Sequence, residues 1–216
     1  MKVLVIGAHG NTGMRVVKLL TTGQHQPLAM VRNAEQRKKF DKLGVATVLG
    51  DLEYPIDHAT SGCDAVIFAA GSGSKTGKDK TVLIDHIGAI RAMVSAATMG
   101  ARRFILLSSI GAEVDSESPI KHYHRAKGYA DVFLQNMSEV MEHKLDWTIV
   151  KPGRLTDEPG PGGVSVQTPS GEKPNTSRTT LAIALASCLD EPATIGKSFY
   201  LFDGEAPLTE SLRSLG

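Results

Sequence analysis

The sequence predicts an α/β fold, a doubly wound, mostly parallel sheet of seven strands with helices on both faces. Three observations carry that expectation. Short β-branched or apolar runs alternate with longer stretches of helical period. Most of the runs are nearly continuous in apolar residues, as strands buried on both faces should be. The first run passes directly into a glycine-rich turn and then a helix.

Taken in order, strands are expected at residues 2–6, 28–31, 46–49, 65–69, 104–107, 147–150 and 198–202. Helices are expected at 12–22, 34–42, 79–98, 120–142 and 177–190. Repeated β–α–β units of this kind are most simply accommodated by a parallel sheet with crossover helices on its faces. Residues 157–175, where Pro159, Gly160, Pro161, Gly162 and Gly163 cluster, read as a surface loop after the sixth strand. Only about forty residues follow it, too few for a second domain of ordinary size. The 216 residues are therefore expected to form one domain, with 151–216 as a small substrate-side segment.

Composition narrows the function classes. Hydrophobic residues make up 41% of the chain, enough for a globular core and too many for a disordered one. The formal net charge is +1 with acids and bases scattered, which argues against nucleic acid or a membrane surface as partner. No apolar run approaches the ~20 residues that span a bilayer. The two cysteines, Cys63 and Cys188, are far apart and in no CxxC pattern, so neither a disulfide framework nor a zinc site is expected. No signal-type segment precedes the first strand, and a reducing, cytoplasmic location is the default expectation. A small-molecule substrate is expected, in a monomer or a homodimer.

The glycine-rich turn is Gly7-Ala8-His9-Gly10-Asn11-Thr12-Gly13. Gly7 permits the sharp turn out of the strand. Gly10 lets backbone approach a pyrophosphate with no Cβ in the way, and Gly13 lets the helix pack closely on the strand. Free amides at the helix start, with Asn11 and Thr12, then hold the phosphates. The alternative, a purely structural glycine turn, has less to recommend it in this strand–loop–helix context. The second strand ends at Arg32, where an NAD-selective site would carry an acid for the ribose hydroxyls. A guanidinium suits a 2′-phosphate, so NADP(H) is expected over NAD(H); the competing reading is a solvated arginine at a strand end. Asp51 and Leu52 follow the third strand and could hold the adenine amino group and pack on the ring, or Asp51 could simply cap a turn. Ala69, Ala70 and Gly71 end the fourth strand and either leave room for the ribose or allow tight sheet–helix packing.

Ser108 and Ser109 end the fifth strand, and Tyr123 and Lys127 open the helix that follows. Tyr and Lys at i and i+4 share a helix face. An ammonium near a phenol favours the phenolate, and such a tyrosine can give a proton to a carbonyl oxygen as hydride arrives at carbon. Ser109 or Ser108 would hydrogen-bond the same oxygen, and Lys127 could also hold the nicotinamide ribose. The bland reading is a surface Tyr and Lys on an amphipathic helix. His122 and His124, at i and i+2, point to different sides and do not make a metal site. Asp85 and Gly88 are read as local pairing and close packing. Residues 72–78 lack phosphate-loop spacing and are either a substrate loop or a plain connection.

On these motifs, with Ala70-Gly71-Ser72-Gly73 and Lys151-Pro152-Gly153-Arg154, the chain resembles the short-chain dehydrogenases/reductases. The likeness is to atypical or extended members of the NAD(P)H-binding, NmrA-like group, described as epimerase/dehydratase-like, over nearly the whole chain. The resemblance implies a Rossmann-type strand order 3-2-1-4-5-6-7, a Ser–Tyr–Lys catalytic set, and a loop with Pro152 and Gly153 beside the nicotinamide. The chain departs from extended members in lacking a sizeable C-terminal substrate domain. Lys151 also stands where close relatives tend to have Arg.

The leading expectation is an NADP(H)-dependent oxidoreductase acting on a small carbonyl or alcohol. Two others stand beside it: a flavin- or tetrapyrrole-type reductase that does not need the tyrosine, and a redox sensor that binds cofactor without turnover.

Overall fold

The computed structural model describes residues 1–73, 77–142, 144–168 and 174–216. Seven parallel strands form the sheet: β1 (Lys2–Ile6), β2 (Gln26–Val31), β3 (Ala46–Leu49), β4 (Ala65–Phe68), β5 (Arg103–Leu107), β6 (Asp146–Pro152) and β10 (Lys197–Gly204). An eighth, β8 (Gly163–Ser165), is added antiparallel to β10. The order is β3-β2-β1-β4-β5-β6-β10-β8, so the winding reverses between β1 and β4. In such sheets the crevice outside the carboxyl ends at the reversal is the natural ligand site.

The seven expected strands and their order are all present. The eighth and a small β7 (Arg154–Thr156) with β9 (Asn175–Ser177) ribbon are additions. β8 lies within the stretch 157–175 expected to be a plain surface loop, and β7 and β9 flank it. Short strands whose pairing partners are remote, here Gly204 against Gly163 and Arg154 against Asn175, leave no local period to read. Residues 169–173 of that stretch lie outside the described residues.

Helices α1 (Asn11–Thr22) and α7 (Arg178–Ser187) cover one face of the sheet, and α5 (Ala89–Thr98) and α6 (Lys121–Val140) the other. Alternation decides which residues go where. Val3 and Val5 join the α1 side, while Leu4 and Ile6 join the α5 side, and all four are fully buried. Alanines at 89, 92 and 96 bring α5 close to the strands. Short helices α2 (Ala34–Asp41), α3 (Asp57–Thr60) and α8 (Leu208–Arg213) complete the layers.

The helix expected at 79–98 is not uniform. It begins as α4 (Lys78–Thr81) and widens to a π-helical segment, Val82–Gly88, before α5 continues it. Such widened turns tend to occur at functional sites, because they push one residue out of the regular ladder. Here the residue at the centre of that segment is Asp85, which is fully buried.

Candidate cofactor and substrate cleft

The cleft follows the carboxyl ends of the strands as two cavities that share Ala69, Ala70, Gly71 and Ser72. One, of about 280 Å³, lies beside β2 and β3. The other, of about 630 Å³, lies beside β5 and β6.

Backbone shapes the junction between them. Gly7 has φ of +80°, and a Cβ there would sit 2.6 Å from Ala70 Cα. A Cβ on Gly13 would collide with the Gly7 carbonyl oxygen, so α1 can approach β1 only with glycine at that position. Gly10 is the N-cap of α1 and supplies no side-chain cap, which leaves the first-turn amides of α1 without a capping oxygen. No acidic residue occupies that turn. The amides and the positive end of the helix dipole therefore face an anion. A cradle that any Cβ would fill, opening on bare helix amides, fits a dinucleotide pyrophosphate.

Beside β2, Arg32 is exposed and lines the smaller cavity. Its N–H donates to Gln36 Oε1 at 2.8 Å, and Asn33 caps α2 through the Gln36 N–H. The guanidinium pairs with no carboxylate among the described residues. His9 stands close by: burial, then the charges of Lys39 and Arg32, hold its pKa below the usual histidine range. Asp51 Oδ1 accepts the Glu53 N–H at 3.0 Å, so the turn-capping reading holds for that oxygen, while the residue also lines the cavity. Leu52 is buried, close enough to the π-helical segment that a Cβ on Gly88 would come within 2.9 Å of Leu52 Cβ.

The larger cavity gathers Asn11, Thr12, Ser108, Ser109, Tyr123, Lys127, Pro152 and Gly153. Every residue expected at the nicotinamide end therefore lines one space. Their hydrogen bonds sort them. Tyr123 is half-buried, and its hydroxyl has no hydrogen-bond partner among the described residues. Ser109 Oγ donates to the Ile110 carbonyl at 3.1 Å. Ser108 Oγ donates to Asp131 Oδ2 at 2.9 Å, and Lys151 Nζ reaches the same carboxylate oxygen at 3.0 Å. Burial pushes the Asp131 carboxyl up, against the pull of Lys151 and the Ser108 hydrogen bond.

Lys127 is almost fully buried. It donates to the Leu107 carbonyl at 3.0 Å and the Ala70 carbonyl at 3.4 Å, and it lies 3.3 Å from Asp85 Oδ1. Burial is the largest single influence and works against its charge, but Asp85, Tyr123 and Asp131 together outweigh it and hold its pKa above the ordinary lysine value. Asp85 Oδ2 in turn accepts the Ser72 N–H at 2.9 Å. The π-helical turn thus ties Lys127 to the loop leaving β4.

Sequence reasoning missed Asp131 and Arg178 here, and it assigned Asp85 and Lys151 no role in the site. Asp131 lies one turn beyond Lys127, a spacing that could have flagged it. Asp85, expected to pair locally, instead meets Lys127 from another element, Lys151 reads in the sequence only as part of the motif before Pro152, and nothing in the neighbours of Arg178 marks it. His122 lines the cavity, while His124 is buried against Ser118 Oγ at 2.7 Å, so the two point apart as their spacing requires. Ser74, Lys75 and Thr76 of the glycine-rich stretch lie outside the described residues.

A Rossmann-type sheet with a glycine cradle at its reversal, and a Tyr–Lys pair across the crevice, defines a dinucleotide-binding protein of the short-chain dehydrogenase/reductase type. The chain belongs to the NAD(P)H-binding family, whose profile matches residues 7–192. It is 40% identical over 221 residues to YhfK of Bacillus subtilis, described as an uncharacterized sugar epimerase, with all of both chains covered. Among solved structures, a Bacillus halodurans protein provisionally described as an NAD-dependent epimerase/dehydratase superposes with a TM-score of 0.90 at 39% identity, covering 99% of each chain. The oxidoreductase ylbE of Lactococcus lactis gives a TM-score of 0.84 at 28% identity, covering 100% of this chain and 96% of that one. No helix among the described residues is long and apolar enough to cross a membrane.

Proposed function

We propose that the protein is an NADP(H)-dependent oxidoreductase acting on a small carbonyl or alcohol in the cavity beside β5 and β6. The observation that carries this reading is the Tyr123 hydroxyl, uncommitted and lining the same space as Asn11, Ser109, Pro152 and Gly153. The cofactor, when bound, supplies the hydride. Tyr123 gives the proton to the carbonyl oxygen, or takes it in the reverse direction. Ser109 orients that oxygen, its hydroxyl rotating away from the Ile110 carbonyl to do so. Ser108 assists once its hydroxyl is released from Asp131. Lys127 fixes the strand ends and the β4 loop and presents positive charge beneath the tyrosine. Pro152 and Gly153 close the wall beside the nicotinamide. Ala69, Ala70 and Gly71 leave space for its ribose. The preference for NADP(H) rests on Arg32, whose exposed, unpaired guanidinium can meet a 2′-phosphate; Asp51 and Leu52 flank the adenine. The whole chain is read as one domain.

A fluorescence titration with NADPH and then NADH, repeated with Arg32→Asp, tests the cofactor reading. NADPH should bind tighter, and the preference should fall by roughly 10- to 100-fold in the variant, as loss of a charge-assisted contact requires. Equal binding of the two cofactors would remove Arg32 from the site.

A second reading, reduction of a planar acceptor without the tyrosine, draws on the commitment of Ser108 to Asp131 and of Lys127 to Asp85. It is in keeping with a relative named as an NAD(P)H azoreductase of Xenophilus azovorans, 29% identical over 154 residues, or 47% of that protein. Activity that survives Tyr123→Phe would select it. Tight, redox-sensitive cofactor binding with no reduction of any acceptor would select a sensor instead.

A further inference from the structure

Among the described residues, none that lines the cavity beside β5 and β6 is Asp or Glu. Lys127 is neutralised within the protein by Asp85, and both are buried. Among the described lining residues the remaining full cation is Arg178, whose side chain is 21% exposed. Its Nη1 lies 3.0 Å from Asp157 Oδ2, but Asp157 is 61% exposed and is shared with Arg15, whose Nη2 lies 3.1 Å from the other oxygen. One carboxylate thus serves two guanidiniums, and neither has it to itself. An exposed pair of this kind is weak and readily exchanged.

The backbone of Arg178 is held more firmly than its guanidinium. The preceding residue, Ser177, caps α7 by accepting the Thr179 and Thr180 N–H groups, and its own N–H donates to Asp203. The planar fork is therefore presented from an anchored helix start, beside apolar Ile120 and Leu155 and half-buried His122. A fork of this geometry matches a carboxylate or phosphate bidentately.

We propose that Arg178 receives an anionic group of the substrate, so that the molecule reduced or oxidised here is a carboxylate- or phosphate-bearing carbonyl or alcohol with a small apolar body. Binding exchanges Asp157 for the substrate anion and leaves Asp157 with Arg15. This rests on the hydride-transfer reading for the word substrate, but the anion site can be tested without turnover. The same oxyanion chemistry could come from the cofactor pyrophosphate, since Asn11 and Thr12 line the same cavity; the experiment separates the two.

Protein loaded with NADP+ is titrated calorimetrically with 4-(hydroxymethyl)benzoate and with its neutral methyl ester. The matching aldehydes are offered with NADPH. The acid should bind at least about tenfold tighter than the ester, as a charge-assisted contact implies. Arg178→Gln should bring that ratio close to one while NADPH affinity stays within about threefold. Arg178→Lys should keep part of the preference and Asp157→Asn should raise it, which guards against reading misfolding as loss of a site. Equal or undetectable binding of acid and ester by the wild type overturns the proposal. So does a ratio that Arg178→Gln leaves unchanged, and so does a loss of NADPH binding in that variant without a change of ratio, which assigns the guanidinium to the pyrophosphate. If the acid is preferred through Arg178 but neither aldehyde is reduced, the anion site stands and the oxidoreductase reading falls.

Discussion

Beside β2 and β3 the protein prepares its cleft mainly with backbone: glycines at 7, 10 and 13, bare amides at the start of α1, and one exposed arginine at the rim. Beside β5 and β6 it does so with side chains carried by different elements. Ser108 leaves β5, Lys127 and Asp131 come from α6, Lys151 from β6, Asp85 from a widened turn, and Arg178 from the start of α7. The first region depends on absent atoms, and its chemistry is written in one stretch of seven residues. The second depends on a buried set of alternating charges, and its chemistry exists only after distant elements have met. Each half should fail differently when it is disturbed.

The largest effect is expected where backbone cannot yield. Gly7→Ala forces a Cβ against the Ala70 backbone at a positive φ. It should cost about 2–4 kcal/mol of stability and abolish cofactor binding. A melt and an NADPH titration check both, and normal binding would mean that the cradle is not the cofactor site. Tyr123→Phe should do the opposite. Turnover should fall by roughly 10²- to 10⁴-fold, with melting temperature and NADPH affinity nearly unchanged.

Asp131→Asn should combine the two failures. It leaves the Lys151 ammonium without its carboxylate and should destabilise by about 3 kcal/mol. It also changes which way the Ser108 hydroxyl points. Replacing Lys151 by Met in the same chain should restore much of the stability but not the serine geometry, and a double-mutant cycle reads the difference.

The smallest effect concerns pH. Lys127 has its pKa raised in the fold, since Asp85, with Tyr123 and Asp131, outweighs the burial that opposes the charge. The folded protein holds that proton more tightly than the unfolded chain. The stabilisation is complete below the ordinary lysine value of 10.5 and is lost as pH climbs through the higher folded value. Alkaline melts of the wild type should therefore fall more steeply than those of Asp85→Asn.

Much of the fold was legible. Runs such as Val3-Leu4-Val5-Ile6 are apolar on both faces because both faces are covered, and that pattern survives in the sequence. The eighth strand was not legible: three residues, Gly163 to Ser165, acquire their strand character from β10. In the cleft, the glycine motif and the Tyr123–Lys127 pair could be read because their spacing is local. The partner of Lys127 could not, since Asp85 lies 42 positions earlier (127 − 85) and reaches it through a π-helical turn that no propensity marks.

The sequence by itself determined the alternation of strands and helices, the glycine cradle and the helix face that carries Tyr123 and Lys127. Periodicity and steric exclusion act over a few residues and leave their record there. Only the tertiary structure decided that Ser108 would give its hydrogen to Asp131, that Lys127 would be neutralised by Asp85, and that Arg178 would share Asp157 with Arg15 at the cavity wall. A buried charge is tolerable only beside its partner, and which partner it finds depends on how the layers pack.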